Sequence, residues 1–260
     1  MPQATQPIDV KPTHQPKMPP PFWKWTTYLL LMPLIALATT FFGTISLIAG
    51  LWDKSGRQQH WIARQWARLL LKIALSPVEV VNGERLKGLG CAVYASNHLS
   101  YYDTPVLFAK LPFQYRIMAK APLWKIPFIG WYLNRSGQVP IDQSSARAGV
   151  ASLARGVKTL DAGLPLVIFP EGGRAATGEL QSMLAGAAWM AIKAQVPLVP
   201  LTLVGTYELL PIHVYALHPR PLKLIVGEPI STAGLTTKDA ETLTAQMRQV
   251  IFDTFVAEHR

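Results

Sequence analysis

His98 and Asp103 are the residues on which chemistry can be built. They lie in Asn97-His98-Leu99-Ser100-Tyr101-Tyr102-Asp103, where an apolar run from Cys91 to Ala95 ends in a polar turn before a second apolar stretch, Thr104 to Leu111. The spacing predicts an imidazole at a strand end and a carboxylate in the first turn of the next helix, where a negative charge suits the helix dipole and Ser100 serves as the cap. A carboxylate on one ring nitrogen fixes the tautomer and leaves the other nitrogen free to take a proton from a hydroxyl. The pair is the base half of a serine-hydrolase triad with no serine, so the substrate supplies the hydroxyl. A second strand-to-turn stretch, Val167-Ile168-Phe169-Pro170-Glu171-Gly172-Gly173-Arg174, complements it. Two successive glycines let the backbone approach an anion closely, and Arg174 offers a planar fork of donors. A base and a phosphate clamp together point to a phosphorylated alcohol.

These residues resemble the motifs of the glycerolipid acyltransferases, the family of 1-acylglycerol-3-phosphate acyltransferases. Asn97-His98 to Asp103, with its His-x4-Asp spacing, is similar to the first motif, and Gly137-Gln138-Val139-Pro140-Ile141-Asp142-Gln143 to the second. Phe169 to Arg174 is similar to the third and Val196-Pro197-Leu198-Val199-Pro200 to the fourth. Four motifs in order carry more weight than any one. The resemblance runs over residues 78–230 and departs from the family at Gln143, where an arginine is usual, and at Gly173, where a threonine is usual. The first removes a charge directed at the acceptor phosphate, with Arg135 and Arg147 as nearby cations. The resemblance implies a membrane-bound O-acyltransferase. His98 and Asp103 are then catalytic, and Glu171, Gly172, Gly173 and Arg174 bind the acceptor or its phosphate. Acyl-CoA or acyl-carrier protein is the co-substrate, membrane lipids and a lysophospholipid acceptor are partners, and no other cofactor is needed. Glu171 carries a negative charge, so it orients Arg174 or bonds an acceptor hydroxyl. Asn97 and Lys120 are further candidates: Lys120, just past a third strand, either faces the site or is solvated. A lyso-aminolipid acceptor and a non-catalytic lipid-binding role are the alternatives.

The composition agrees with a lipid substrate. Half of the 260 residues are apolar and 15% are charged, and Lys+Arg 25 against Asp+Glu 15 gives a net charge of +10. A basic, apolar chain suits an anionic membrane face. There is no zinc-finger spacing, arginine-rich arm or aromatic RNA-binding signature, so no nucleic-acid partner is expected. Gly-x-Ser-x-Gly, Gly-x-x-x-x-Gly-Lys and His-Glu-x-x-His are absent from the sequence, so a serine lipase, a nucleotide loop and a metal site are not implied. The single Cys91 sits inside an apolar strand and reads as a small buried hydrophobe.

The elements that must position these residues follow from periodicity. Residues 1–21 are rich in proline and read as a disordered tail, and 22–76 as a membrane-associated helical segment before an acyltransferase domain over 77–260. No charge occurs between Trp25 and Trp52, a run long enough to cross a hydrocarbon layer roughly 30 Å thick. Pro33 and Gly43 interrupt it, so it either spans the bilayer or bends into one leaflet. The basic residues after it (Lys54, Arg57, Arg64, Arg68, Lys72) place that side, and the site, on the cytoplasmic face of a bacterial-type inner membrane. His60 to Leu75 is an amphipathic helix that lies in the membrane plane or packs on the core. Strands at Val78–Val81, Cys91–Ala95, Tyr115–Met118, Leu166–Phe169, Pro197–Val204 and Leu222–Val226 alternate with helices at Thr104–Leu111, Ser144–Leu160, Ala185–Ala194 and Thr237–Glu258. This predicts an α/β fold with a mostly parallel sheet flanked by helices, its site at the carboxyl ends of the strands. Pro122 to Tyr132, crowded with aromatics, is expected to be core or to line an acyl-chain passage.

Overall fold

A computed structural model describes residues 21–214 and 216–259; the proline-rich tail predicted for residues 1–21 lies outside them, apart from Pro21. The chain opens with helix α1 (Pro21–Thr26), a π turn (Thr27–Leu31) and α2 (Met32–Ala49), which run on as one helix. Pro33 falls in the first turn of α2, where its missing N–H is tolerated, and the π turn before it takes up the mismatch. The helix therefore does not bend back at Pro33 or Gly43. Phe22–Ala49, 28 residues, is long and apolar enough to cross a membrane and is largely exposed.

A tight turn reverses the chain into α3 (Arg57–Ile73). Asp53 builds that turn, its carboxylate accepting from the amides of Gln58 and Gln59 and from Ser55 Oγ. Arg116 Nη2 donates to Ser55 O at 2.6 Å and Arg135 Nη1 to Gly50 O at 3.1 Å, which fastens the turn to the rest of the fold. Helix α3 buries Ile62, Ala63, Ala67, Leu70 and Leu71 and packs on α2 and on the domain core, so core packing is the outcome of the two expected for it. His60 fixes its start. Its Nε2 donates to Phe113 O at 3.1 Å, its ring meets Tyr115 edge-on, and burial beside Arg64 lowers its pKa to about 4.

The remaining elements are β1 (Val78–Val81), β2 (Val93–Ser96), α4 (Asp103–Lys110), β3 (Arg116–Lys120), α5 (Ile129–Arg135), β4 (Val139–Ile141), α6 (Ala146–Asp161) and β5 (Leu166–Ile168). They are followed by α7 (Gly186–Ala194), β6 (Leu198–Val204), α8 (Thr206–Leu209), β7 (Leu222–Val226) and α9 (Ala240–Glu258). The strands form one seven-stranded sheet in the order β1-β7-β6-β2-β5-β3-β4. All neighbours are parallel except β6 and β7. The central strands are apolar on both faces, as a sheet covered by helices on each side requires. One face carries α3 and α4, around Leu70, Val106, Leu107 and Tyr115; the other carries α6, α7 and α9, around Met190, Leu243 and Met247. Strand β4 lies inside the motif Gly137 to Gln143, where the apolar periodicity predicts no strand. Within residues 122–132, Tyr132 packs against the core, while Leu123, Ile126, Phe128, Ile129 and Trp131 are all exposed.

Candidate active site

Strands β6, β2, β5 and β3 are adjacent and parallel, so their carboxyl ends open on one edge. His98 follows β2, residues 171–174 follow β5, and Lys120 closes β3. His98 Nδ1 lies 2.8 Å from Asp103 Oδ2, with Asp103 fully buried. Asp103 Oδ2 also accepts from the amides of Leu99 and Ser100, at 2.7 and 2.8 Å. An oxygen that already receives two amide N–H groups is the acceptor toward the imidazole as well. The proton therefore sits on Nδ1, and Nε2 is the basic nitrogen. Phe169 stacks on the imidazole, ring centroids 3.8 Å apart and 14° from parallel, so the ring has one orientation.

This arrangement corrects the cap predicted for Ser100. Asp103, the first residue of α4, organises the turn, while Ser100 Oγ donates to Leu210 O and accepts from the amide of Tyr102. Asn97 is also reassigned. Its side chain is fully buried, with Nδ2 donating to Leu203 O at 2.9 Å and Oδ1 accepting from Leu203 N at 2.7 Å. Both of its polar ends are spent on β6, so it positions the turn.

Glu171 likewise ties protein to protein. One carboxylate oxygen accepts from His98 N at 2.8 Å and the other from Gln181 N at 3.0 Å. It neither orients Arg174 nor presents a free oxygen to an acceptor. Burial, reinforced by the Asp103 charge, pushes its pKa up to about 8 despite those two amides. Ala175 N donates to His98 O at 3.0 Å, so the two turns are laced in both directions. Gly172 has φ +72 and its amide donates to Phe169 O at 3.1 Å. Its part in an anion clamp is therefore to form the turn. Among the described residues the amides of Gly173 and Arg174 donate to no protein acceptor.

Arg174 Nε donates to Ser100 O at 3.3 Å and its guanidinium carbon sits 4.2 Å from the centre of the Tyr101 ring. These two contacts hold the guanidinium in place beside the turn. Lys120 Nζ lies 3.7 Å from where a Cβ on Gly173 would be, and Gln143 Nε2 3.6 Å from where one on Gly172 would be. Lys120 is exposed to solvent and at the same time lies beside the turn. Arg135 is occupied at the α2–α3 turn, and Arg147 lies exposed in the first turn of α6. Among the described residues no group of three His, Cys, Asp or Glu is arranged to hold a metal ion. Gln181, which anchors Glu171, carries no sequence signal that would have marked it.

The oriented histidine on one strand end and the cationic glycine turn on the next both lie within residues 77–204, which match the Acyltransferase family. The curated proteins that the chain resembles include 1-acyl-sn-glycerol-3-phosphate acyltransferases. The chain is 36% identical over 156 residues to a chloroplastic one from Arabidopsis thaliana, covering 58% of this chain and 42% of that protein. It is 31% identical over 209 residues to one from Brassica napus, covering 77% and 59%. The chain thus spans about half the length of these relatives. Its fold is similar to the crystal structure of the 1-acyl-sn-glycerophosphate acyltransferase PlsC from Thermotoga maritima, with TM-score 0.73 and 24% identity over 88% of this chain and 94% of that one.

Proposed function

We propose that the protein is a membrane-bound O-acyltransferase that moves a fatty acyl group from an acyl thioester to the free hydroxyl of 1-acylglycerol-3-phosphate, giving phosphatidic acid. The observation that carries this reading is the 2.8 Å contact between His98 Nδ1 and a buried Asp103, on the same sheet edge as Arg174 and Lys120. His98 Nε2 takes the proton of the acceptor hydroxyl as its oxygen attacks the thioester carbonyl. The new C–O bond forms, the C–S bond breaks, and the imidazolium returns the proton to the departing thiolate. Asp103 stabilises the imidazolium without itself taking the proton. Arg174, the amides of Gly173 and Arg174, and Lys120 hold the acceptor phosphate; Lys120 supplies the cation that Gln143 lacks. No other cofactor is required, since the activated thioester brings its own driving force. The apolar helix Phe22–Ala49 and the basic residues after it keep the domain at the cytoplasmic face of a membrane.

The test is direct. Purified protein is incubated with 1-acylglycerol-3-phosphate and either acyl-CoA or acyl-carrier protein, beside a panel of lysophosphatidylcholine, lysophosphatidylethanolamine and a lyso-aminolipid. Diacyl product from the phosphate monoester alone is the expected result. Product from a zwitterionic acceptor at equal rate overturns the acceptor assignment, and no product from any pairing leaves a lipid-binding relative.

A further inference from the structure

Residues 121–135 carry an exposed apolar surface that the mechanism does not use. The chain leaves β3 at Lys120, makes a 3-10 turn (Ala121–Lys125) and enters α5 at Ile129. Phe128 is 66% and Trp131 55% exposed, and Leu123, Ile126 and Ile129 extend the same patch. The backbone is strained to present it. Phe128 has φ +63 and ψ −51, and Ile129 N donates to Pro127 O at 2.7 Å, a three-residue turn of the positive-φ type that a bulky side chain resists. Gly130 permits the next step, because a Cβ there would collide with the carbonyl of Trp124. Phe128 and Trp131 consequently project together, ring centroids 5.0 Å apart.

Charge and position say what covers this patch. Between Asp103 and Asp142 the sequence has no acidic residue, while Lys120, Lys125 and Arg135 supply exposed cations. Aromatic side chains interleaved with lysine are suited to an anionic lipid interface, where the rings sit at headgroup depth and lysine snorkels. Helix α5 packs on α2, and Trp131 lies one turn before Arg135, the residue that holds Gly50. The patch therefore continues the exposed apolar surface of Ile45, Ile48, Leu51 and Trp52. It also borders the site, since Lys120 immediately precedes it.

We propose that residues 121–135 are a second membrane-inserting element, an aromatic elbow that enters the interfacial layer of an anionic bilayer beside α2 and holds the mouth of the site against the lipid surface. The proposal rests on the membrane reading above. It is tested on the full chain in vesicles of phosphatidylglycerol and phosphatidylcholine, with a benzophenone amino acid at position 128 or, as control, at Val150, which is exposed on α6. Irradiation without any acyl thioester is expected to give lipid adducts at 128 and none at 150. Adducts to a second copy of the chain, adducts only after an acyl thioester is added, or no lipid adduct at 128 in protein that still floats with the vesicles each overturn it. A second variant excludes misfolding as the cause. Phe128→Gly relieves the positive φ, so its melting temperature in detergent holds or rises. With Trp131→Ser added, KM for a long-chain acceptor in vesicles should rise about tenfold, equivalent to about 1.4 kcal/mol. Turnover of a short-chain monomeric acceptor should stay unchanged, and equal losses on both acceptors overturn the elbow. If no acceptor turns over, the enzymatic reading fails while the lipid adducts still decide the elbow.

Discussion

Glu171 accepts the amide of His98 at 2.8 Å across 73 residues of sequence, so the anion turn and the base are one rigid unit. The linkage has a pH signature. Burial holds the Glu171 pKa at about 8 in the folded protein, against 4.5 for a carboxyl group in water. The folded state thus keeps a proton that the unfolded chain releases between those values, and stability falls as pH rises through that window. Glu171→Gln removes this dependence. The difference in melting temperature between wild type and variant should shift against the wild type from pH 5 to pH 8; a difference constant with pH would refute the buried-acid assignment.

Asp103 is the second handle. Asp103→Asn keeps the size of the side chain but removes the charge that stabilises the imidazolium, and His98→Ala removes the base itself. Each should lower kcat by roughly 10²–10⁴-fold. His98→Ala should leave the protein folded with the melting temperature within a few degrees, since Asp103 Oδ2 keeps the amides of Leu99 and Ser100 as donors. Thioester consumption with 1-acylglycerol-3-phosphate measures the first, and thermal unfolding the second.

Asn97 is expected to behave in the opposite way. Its two bonds to Leu203 are buried, and Asn97→Ala leaves the N–H and C=O of that residue without partners. Such a loss costs about 1–3 kcal/mol for each group stranded. Thermal unfolding should show a drop of several degrees, and the protein that remains folded at low temperature should keep KM for the acceptor close to that of the wild type. A large KM change with unchanged stability would return Asn97 to the substrate.

What the sequence disclosed follows the range of each interaction. The His98–Asp103 pairing closes within one turn, so the spacing could suggest it and the glycine turn of a second stretch could support it, and apolar runs placed every strand of the sheet except β4. The roles of Asn97 and Glu171 depend on partners 106 and 73 residues away, which only the order of β6, β2 and β5 brings together. Lys120 could be set at a strand end from the sequence, but its approach to Gly173 depends on β3 lying beside β5. The positive φ at Phe128 had no signal, because the residue there is not the glycine such a turn favours.

The two glycines of the anion turn should separate cleanly. Gly172 has φ +72, so Gly172→Ala forces a side chain into the left-handed region at about 1–2 kcal/mol, and it also disturbs the turn closed by the Phe169 carbonyl. Gly173 has no positive φ, and a Cβ there meets Lys120 Nζ only at 3.7 Å, an ordinary contact. Gly173→Thr, which restores the residue usual in the family, should therefore fold as well as the wild type and place a hydroxyl beside Lys120. Lys120→Ala removes the cation instead and should raise KM for the phosphorylated acceptor about tenfold, the loss of one charge-assisted bond of about 1.5 kcal/mol. Melting temperatures and acceptor KM values for the three variants check the assignment together. If Lys120→Ala left KM unchanged, the acceptor phosphate would have to be held by Arg174 and its neighbouring amides alone, and Gln143 would mark a site with one cation fewer.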